Sequence, residues 1–281
     1  MPMNTLSFSS MPPFNTDEIE RRIEANRIPL RIIPAATIEE EARAFRQILL
    51  NNREWVDYYQ GMAADKWLEH FLSVHFLNPQ KGDVVLDVAS HWSPFFKIVQ
   101  TAAPIRTMYV QDLCFEQGIH GNRIGSDCTN IPLSDDSVDL IAVNNSIEHF
   151  EQDKDSLFLK EAYRLLKPGG KICIVPLFMA TEAVNMADPD LDLSGVVFDS
   201  DAILVSAKPW KIPFARCYTP ETFVQRLLKA VPQFEYEIMS IHGMSSFDPS
   251  LNYWQFVACM RKPGNKNAAS GFLKKILSKL V

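Results

Sequence analysis

The chain has 281 residues, 47% of them hydrophobic, and a formal net charge of −6. That length buries a full core without staples, no apolar run approaches the roughly 20 residues of a membrane span, and the opening MPMNTLSFSSMPPFNTDE lacks the basic start and apolar centre of a secretory signal. Residues 262–281 hold five lysines and no acid, so the rest carries 23 basic against 34 acidic groups, a body poorly suited to gripping nucleic acid.

Residues 1–15, rich in Ser, Pro, Met and Asn, are expected to be mobile. Thr16 is placed to cap a short helix over Asp17 to Asn26, and Thr37 with Glu40 forms a capping-box start for a second helix to about Leu50. A third helix, around Trp55 to Phe76, carries Trp55, Tyr58, Tyr59, Met62, Trp67 and Phe71, a density that points to packing onto a domain before ligand binding. Asp83 to Val88 is a buried strand, and Ser93-Pro94 opens a helix with the serine as cap. Arg106–Asp112, Arg123–Asp127 and Asp139–Asn144 read as the next strands. Between the first two, Leu113 to Asn122 has two glycines and no helical period, which predicts a loop or single turn.

From Ser156, apolar residues recur at Leu157, Phe158, Ala162, Leu165 and Leu166, a helical spacing that leaves Lys160, Glu161 and Arg164 for water. Lys167-Pro168-Gly169-Gly170 stops that helix, and Lys171 to Leu177 is the following strand. Met179 to Arg216 shows few periodic features, as a lid or binding loop does. Within it Asp188, Asp190 and Asp192 alternate like part of a calcium loop but lack its glycine and glutamate, so they read as solvated acids. Thr219-Pro220-Glu221 caps a helix to Ala230, and Phe234–His242 with Trp254–Arg261 forms a closing antiparallel pair. Cys114, Cys128, Cys173, Cys217 and Cys259 are widely spaced, suggesting neither a disulfide framework nor a zinc knuckle and fitting a reduced, cytoplasmic compartment.

The order Ile131-Pro132-Leu133, Asp135-Asp136-Ser137-Val138-Asp139-Leu140, Glu148-His149 and Glu161 through Lys171 resembles the second half of class I S-adenosylmethionine-dependent methyltransferases of the small-molecule, type 11 group. The resemblance covers residues 83 to about 262. It implies an α/β fold: a doubly wound, mostly parallel seven-stranded sheet with helices on both faces and an antiparallel closing strand. Residues 16–82 form an N-terminal helical cap, 179–216 a lid insertion, and 263–281 a linker with a basic amphipathic helix.

It also implies S-adenosylmethionine as cofactor, bound at the carboxyl ends of the strands. The family's D-x-G-x-G-x-G loop falls on Asp87-Val88-Ala89-Ser90-His91-Trp92-Ser93, with Ala89, His91 and Ser93 in the glycine positions. Either the loop takes ordinary torsions with His91 outward, leaving Ser90 and backbone amides for the amino-acid end of the cofactor, or the site is closed. By the same resemblance Asp112, followed by Leu113, accepts from the ribose hydroxyls. Asp127 and Cys128 lie beside the adenine, and Asn144 at the mouth of the fourth strand.

Methyl transfer is an in-line displacement that needs a base only when its nucleophile starts protonated. His149, oriented by Glu148, is the candidate base; the alternative is that the pair caps the next turn and packs under the lid. His91, His120 and His242 have no metal-ligand spacing, so no metal is expected. Tyr58, Tyr59 and Lys66 in the cap are placed to meet the cofactor carboxylate. Phe272–Val281 presents one apolar and one lysine-bearing face, suited to peripheral contact with the inner membrane surface or to docking on protein. The expected function is methyl transfer to a small-molecule or glycan-type acceptor, not nucleic acid, with oxygen as the atom modified. The competing class is a non-catalytic scaffold, and a nicotinamide oxidoreductase ranks lower because no G-x-G-x-x-G follows a strand.

Overall fold

Near-continuous apolar runs are the mark of strands buried on both faces, and three of them form the middle of one sheet: β2 (Val84–Val88), β5 (Val138–Asn144) and β6 (Leu166–Val175). The computed structural model describes residues 13–61, 65–91, 93–102, 105–247 and 255–264. The expectations for residues 1–12 and for the basic helix Phe272–Val281 lie outside these described residues.

Around the central strands lie β1 (Leu30–Pro34), β3 (Thr107–His120), β4 (Arg123–Gly125), β10 (Glu235–His242) and β11 (Phe256–Arg261), giving eight strands in the order β1-β10-β11-β6-β5-β2-β3-β4. Pairing is parallel except at β11, which runs antiparallel to both β10 and β6, and at the outer part of β3, whose register against β4 is reversed. Register places Leu86 between Tyr109 and Ile141, so the carboxyl ends of β2, β3 and β5 share one edge. That edge is the switch point where open α/β sheets bind ligands.

Helices α1 (Thr16–Ala25) and α6 (Lys154–Leu165) cover one face, burying Ile19, Ile23, Phe158 and Leu165 against Leu86, Val143 and Ile174. Helices α2 (Glu39–Leu50), α3 (Val56–Gly61), α4 (Asp65–Leu77) and α5 (Phe95–Ala102) cover the other, with Leu49, Leu68, Phe71 and Phe95 over Val85, Leu140 and Met239. Among the described residues no helix is long and apolar enough to cross a membrane.

Several local expectations change. Asn15, not Thr16, caps α1, accepting from Glu18 N–H at 3.0 Å. Thr37 donates to the Pro34 carbonyl in a 3₁₀ turn, and Ile38 stands at the start of α2 without a side-chain cap. The described parts of the third helix are α3 and α4. β1 is an eighth strand that the sequence hides: it is five residues long with only Ile33 buried, and a proline stands at its end. Glu161 is buried and accepts from Ile131 N–H at 2.7 Å, tying α6 to the loop before β5.

The crossover after Asp112 is neither loop nor turn. β3 continues to His120, its outer part pairing with the far side of β4 (Ile119↔Ile124, His120↔Arg123). This return brings backbone onto Gly125, where an added Cβ would sit 2.0 Å from the Glu116 carbonyl oxygen.

The long insertion is a second sheet of three strands, β7 (Val184–Ala187), β8 (Ile203–Ser206) and β9 (Ala215–Cys217), with a core of Val184, Met186, Val205 and Cys217. It is pinned by Arg216, whose buried guanidinium bonds Asp199 at 2.6 Å and Asp155 of α6 at 3.1 Å. Asp155 also accepts from Tyr218 Oη at 2.8 Å and Arg226 Nε at 2.8 Å. Asp188 is buried, contrary to the solvated reading, and accepts from Asp190 N–H. Thr219 caps α7 (Pro220–Phe223) with a capping box, as expected, and the helix widens into a π-turn over Val224–Leu228.

Candidate active site

Asp87, fully buried, is the last residue but one of β2, and the chain then bends at Ala89, whose φ of +52° is left-handed. The loop therefore keeps a glycine-type torsion at one glycine position although alanine occupies it, and the expectation of ordinary torsions fails there. Gln111 holds the bend. Its side chain accepts from Ala89 N–H at 3.2 Å and donates to the Ser126 carbonyl at 2.5 Å, while its own carbonyl accepts from Ser90 N–H at 3.2 Å. These amides serve the loop itself, and Ser90 Oγ donates to Asp87 Oδ2 at 2.5 Å. The sequence reading had left these two amides for the amino-acid end of a ligand; they are engaged within the loop, while the Ser90 hydroxyl keeps its acceptor capacity.

His91 sits with its ring edge-on to Phe115 of the β3 return, centroids 5.0 Å apart. Its backbone N–H donates to Asp112 Oδ2 at 3.1 Å, and Cys114 N–H donates to Oδ1 at 2.8 Å. The Cys114 thiol is a further hydrogen-bonding partner of the same carboxylate. Leu113, next in the chain, is 72% exposed. Asp127 accepts from Thr129 and from Lys154 Nζ at 2.6 Å; burial works against its charged form, but these bonds outweigh it and hold the carboxyl below its usual range. Burial pushes the neighbouring Cys128 thiol up to about 12.

A buried polar cluster lies where the cap meets the sheet. Burial drives Asp87 up to about 8, and nearby Glu69 adds to this against the Ser90 hydrogen bond. Asn144, at the end of β5, accepts from Ser73 Oγ of α4. Its amide lies near enough to Asp87 to favour the carboxylate, without completing a hydrogen bond. Asp87 Oδ1, Asn144 Nδ2, Ser126 Oγ and both oxygens of Glu148 are buried with no hydrogen-bond partner among the described residues.

The cap contributes more than packing. Tyr59 Oη and His70 Nδ1 share a hydrogen bond of 2.5 Å, and His70 Nε2 lies 3.2 Å from Ser93 Oγ, which accepts from Phe95 N–H at the start of α5. Burial lowers His70 to about 3, so it is neutral and links cap to loop as a hydrogen-bonding strut. Burial also raises Tyr58 and Tyr59. Lys66 pairs with buried Glu69 at 2.9 Å. Gln111, His70, Ser73 and Glu69 were missed by sequence reasoning, since no motif marks a polar residue inside an apolar helix or strand.

His149 Nδ1 lies 2.7 Å from the Phe214 carbonyl of the insertion. A carbonyl only accepts, so Nδ1 carries the proton and Nε2 is the basic nitrogen of the neutral ring. Nε2 stands 3.7 Å from Glu148 Oε1. Glu148 is buried, which raises its pKa, while His149 opposes that shift. The two side chains therefore lie side by side without a hydrogen bond, and the ring is anchored to the insertion. Among the described residues no three His, Cys, Asp or Glu side chains gather as a metal ion would need.

Residues 107–174 match the family model described as a methyltransferase domain. No curated protein matches the chain. Among solved structures the chain is similar to the Burkholderia thailandensis 1,6-didemethyltoxoflavin-N1-methyltransferase with bound 1,6-didemethyltoxoflavin and S-adenosylhomocysteine, at 11% identity, covering 92% of this chain and 95% of that one, with a TM-score of 0.48. It is also similar to an S-adenosylmethionine dependent methyltransferase from Mesorhizobium loti (14% identity, 69% of this chain and 97% of that one, TM-score 0.46). A third likeness is to an S-adenosylmethionine-dependent methyltransferase of Methanosarcina mazei (13%, 68% and 97%, 0.43). At these identities and scores the likenesses carry no inference about chemistry.

Proposed function

We propose that this chain, whose residues 107–174 carry a methyltransferase domain, transfers a methyl group from S-adenosylmethionine to a hydroxyl of a small-molecule or glycan-type acceptor. The observation that carries the reading is the row of acids at the sheet's switch point, Asp87, Asp112 and Asp127, together with buried polar atoms that find no partner there among the described residues. Burying a polar group without a partner costs about 1–3 kcal/mol, so several in one place mark a surface shaped for a ligand.

The residues fit the cofactor in kind. Asp112 stands on β3 as an acceptor for a vicinal diol, its backbone partners being His91 and Cys114 N–H. Asp127 and Cys128 flank the place of a base, and Asp87 and Asn144 bring an acceptor and a donor toward the centre. When bound, the cofactor supplies an activated methyl on a sulfonium. The chain's own work is to hold the acceptor in line, exclude water and remove one proton. His149 Nε2 takes the acceptor's hydroxyl proton, and the Glu148 carboxyl beside it favours the imidazolium. The Phe214 carbonyl keeps the ring in the required tautomer.

A second reading, a non-catalytic scaffold, has one observation in its favour: the loop amides at Ala89 and Ser90 are consumed by Gln111. Incubation with isotopically labelled S-adenosylmethionine and matched hydroxyl, amine and thiol acceptors separates the readings. Label should enter the hydroxyl acceptors and depend on His149. Label in amines alone overturns the oxygen assignment, and label in none, with no cofactor bound, favours the scaffold.

A further inference from the structure

Cys173 of β6 and Cys259 of β11 are directly opposed in the antiparallel register, with their sulfurs 3.5 Å apart. Opposed Cα atoms in such a ladder are about 4.5–5.5 Å apart, inside the span a disulfide bridges. Strand alternation puts Lys171 on the same face as Cys173, and Arg261 on the same face as Cys259, with Lys171 and Arg261 opposed in the next same-face pair. Lys171 Nζ reaches the Phe76 carbonyl at the end of α4 at 3.5 Å, and burial lowers its pKa while the neighbouring cysteines oppose that. Cys173 is fully buried, whereas Cys259 is half-buried and open to a small reagent. Reactive cysteines are found in such partly exposed, electropositive settings.

We infer that Cys173 and Cys259 form a redox-active dithiol, oxidised by a small hydroperoxide to a cross-strand disulfide between β6 and β11. The sulfur of Cys259, as thiolate, attacks one peroxide oxygen; the S–O bond forms, the O–O bond breaks, and hydroxide leaves and is protonated. Cys173 then attacks the sulfenic sulfur. The S–S bond forms, the S–O bond breaks, and the hydroxyl departs as water with the Cys173 proton. Two thiols lose two electrons in all, and one hydrogen peroxide becomes two waters. Cys173 is buried and Cys259 is not, so Cys259 meets the peroxide and Cys173 resolves the sulfenic acid. The sulfurs close from 3.5 Å to about 2.05 Å. A dithiol reductant reverses the change.

The test uses the full chain, reduced and then exposed to hydrogen peroxide, quenched with catalase, denatured and alkylated. Of the five cysteines, three should take up alkyl groups after oxidation and all five after dithiothreitol. A non-reducing peptide map should contain the Cys173–Cys259 linked pair. In Cys114→Ser the linked pair should persist, in Cys259→Ser it should vanish with no loss of thiols, and in Lys171→Met it should form more slowly. Recovery of both peptides alkylated after peroxide overturns the inference, and so does Cys259 as sulfinic acid beside an alkylated Cys173. The wild-type map decides the matter even if a variant fails to fold.

Discussion

Asp155→Ala removes the anchor of the inserted sheet. Asp155 is fully buried, and its oxygens accept from Arg216 at 3.1 Å, Arg226 at 2.8 Å and Tyr218 at 2.8 Å. Without it, Arg216 keeps only Asp199 as a counter-charge and the Tyr218 hydroxyl has lost its acceptor. Breaking a buried ion pair costs roughly 3–5 kcal/mol, and the orphaned hydroxyl about 1–3 more, though the two effects overlap. A loss of about 4 kcal/mol is a large part of the 5–15 that a domain of this kind possesses. At roughly 2–4 °C per kcal/mol the melting temperature should fall by about 8–16 °C. Hydrogen exchange should show β7 and β9 losing protection before the central strands. Asp135→Ala is the control: its 2.6 Å pair with Arg164 is exposed, and surface pairs contribute about 0–1 kcal/mol. Equal melting of the two variants would refute the reasoning.

Three further outcomes are expected. Asp87 is protonated in the fold up to about pH 8 but ionised in the unfolded chain above its ordinary 3.8, so the folded state binds more protons in that window and this group's contribution to stability declines as pH rises through it, by at most about 1.4 kcal/mol per unit. Asp87→Asn should flatten that slope in urea unfolding from pH 5 to 9; an unchanged slope places the proton elsewhere. Gly125→Ala should destabilise by roughly 2 kcal/mol or more, because the new Cβ meets backbone and not a flexible side chain; an unaltered urea midpoint would show that the β3 return shifts freely. His149→Ala should lower the methyl-transfer rate roughly 10²- to 10⁴-fold while leaving S-adenosylhomocysteine affinity unchanged, and a rate within twofold of wild type would remove the base.

The sheet was legible because its central strands are apolar runs bounded by turn residues; Lys167-Pro168-Gly169-Gly170, expected to part helix from strand, instead lies inside β6, which begins at Leu166, with Gly169 at φ +88°. β1 was not legible: an edge strand with one buried residue gives neither a run nor an alternation. The inserted sheet escaped for a related reason, since its strands are three or four residues long and its stability rests on the Asp155–Arg216–Asp199 ion network, which joins residues distant in sequence. At the site, sequence pointed to Asp87, Asp112, Asp127, Asn144 and the Glu148-His149 pair. It gave no sign of Gln111 or His70, polar residues inside apolar elements whose roles exist only once the loop has bent over them.

Calorimetry with S-adenosylhomocysteine is the most direct measurement on the central claim, that the edge formed by β2, β3 and β5 receives an adenosyl ligand through Asp112. Wild type should bind with measurable heat, and Asp112→Ala should bind roughly 10- to 100-fold more weakly, the loss expected for hydrogen bonds to a charged group. No heat from folded wild type, or equal affinity in the variant, would contradict the account.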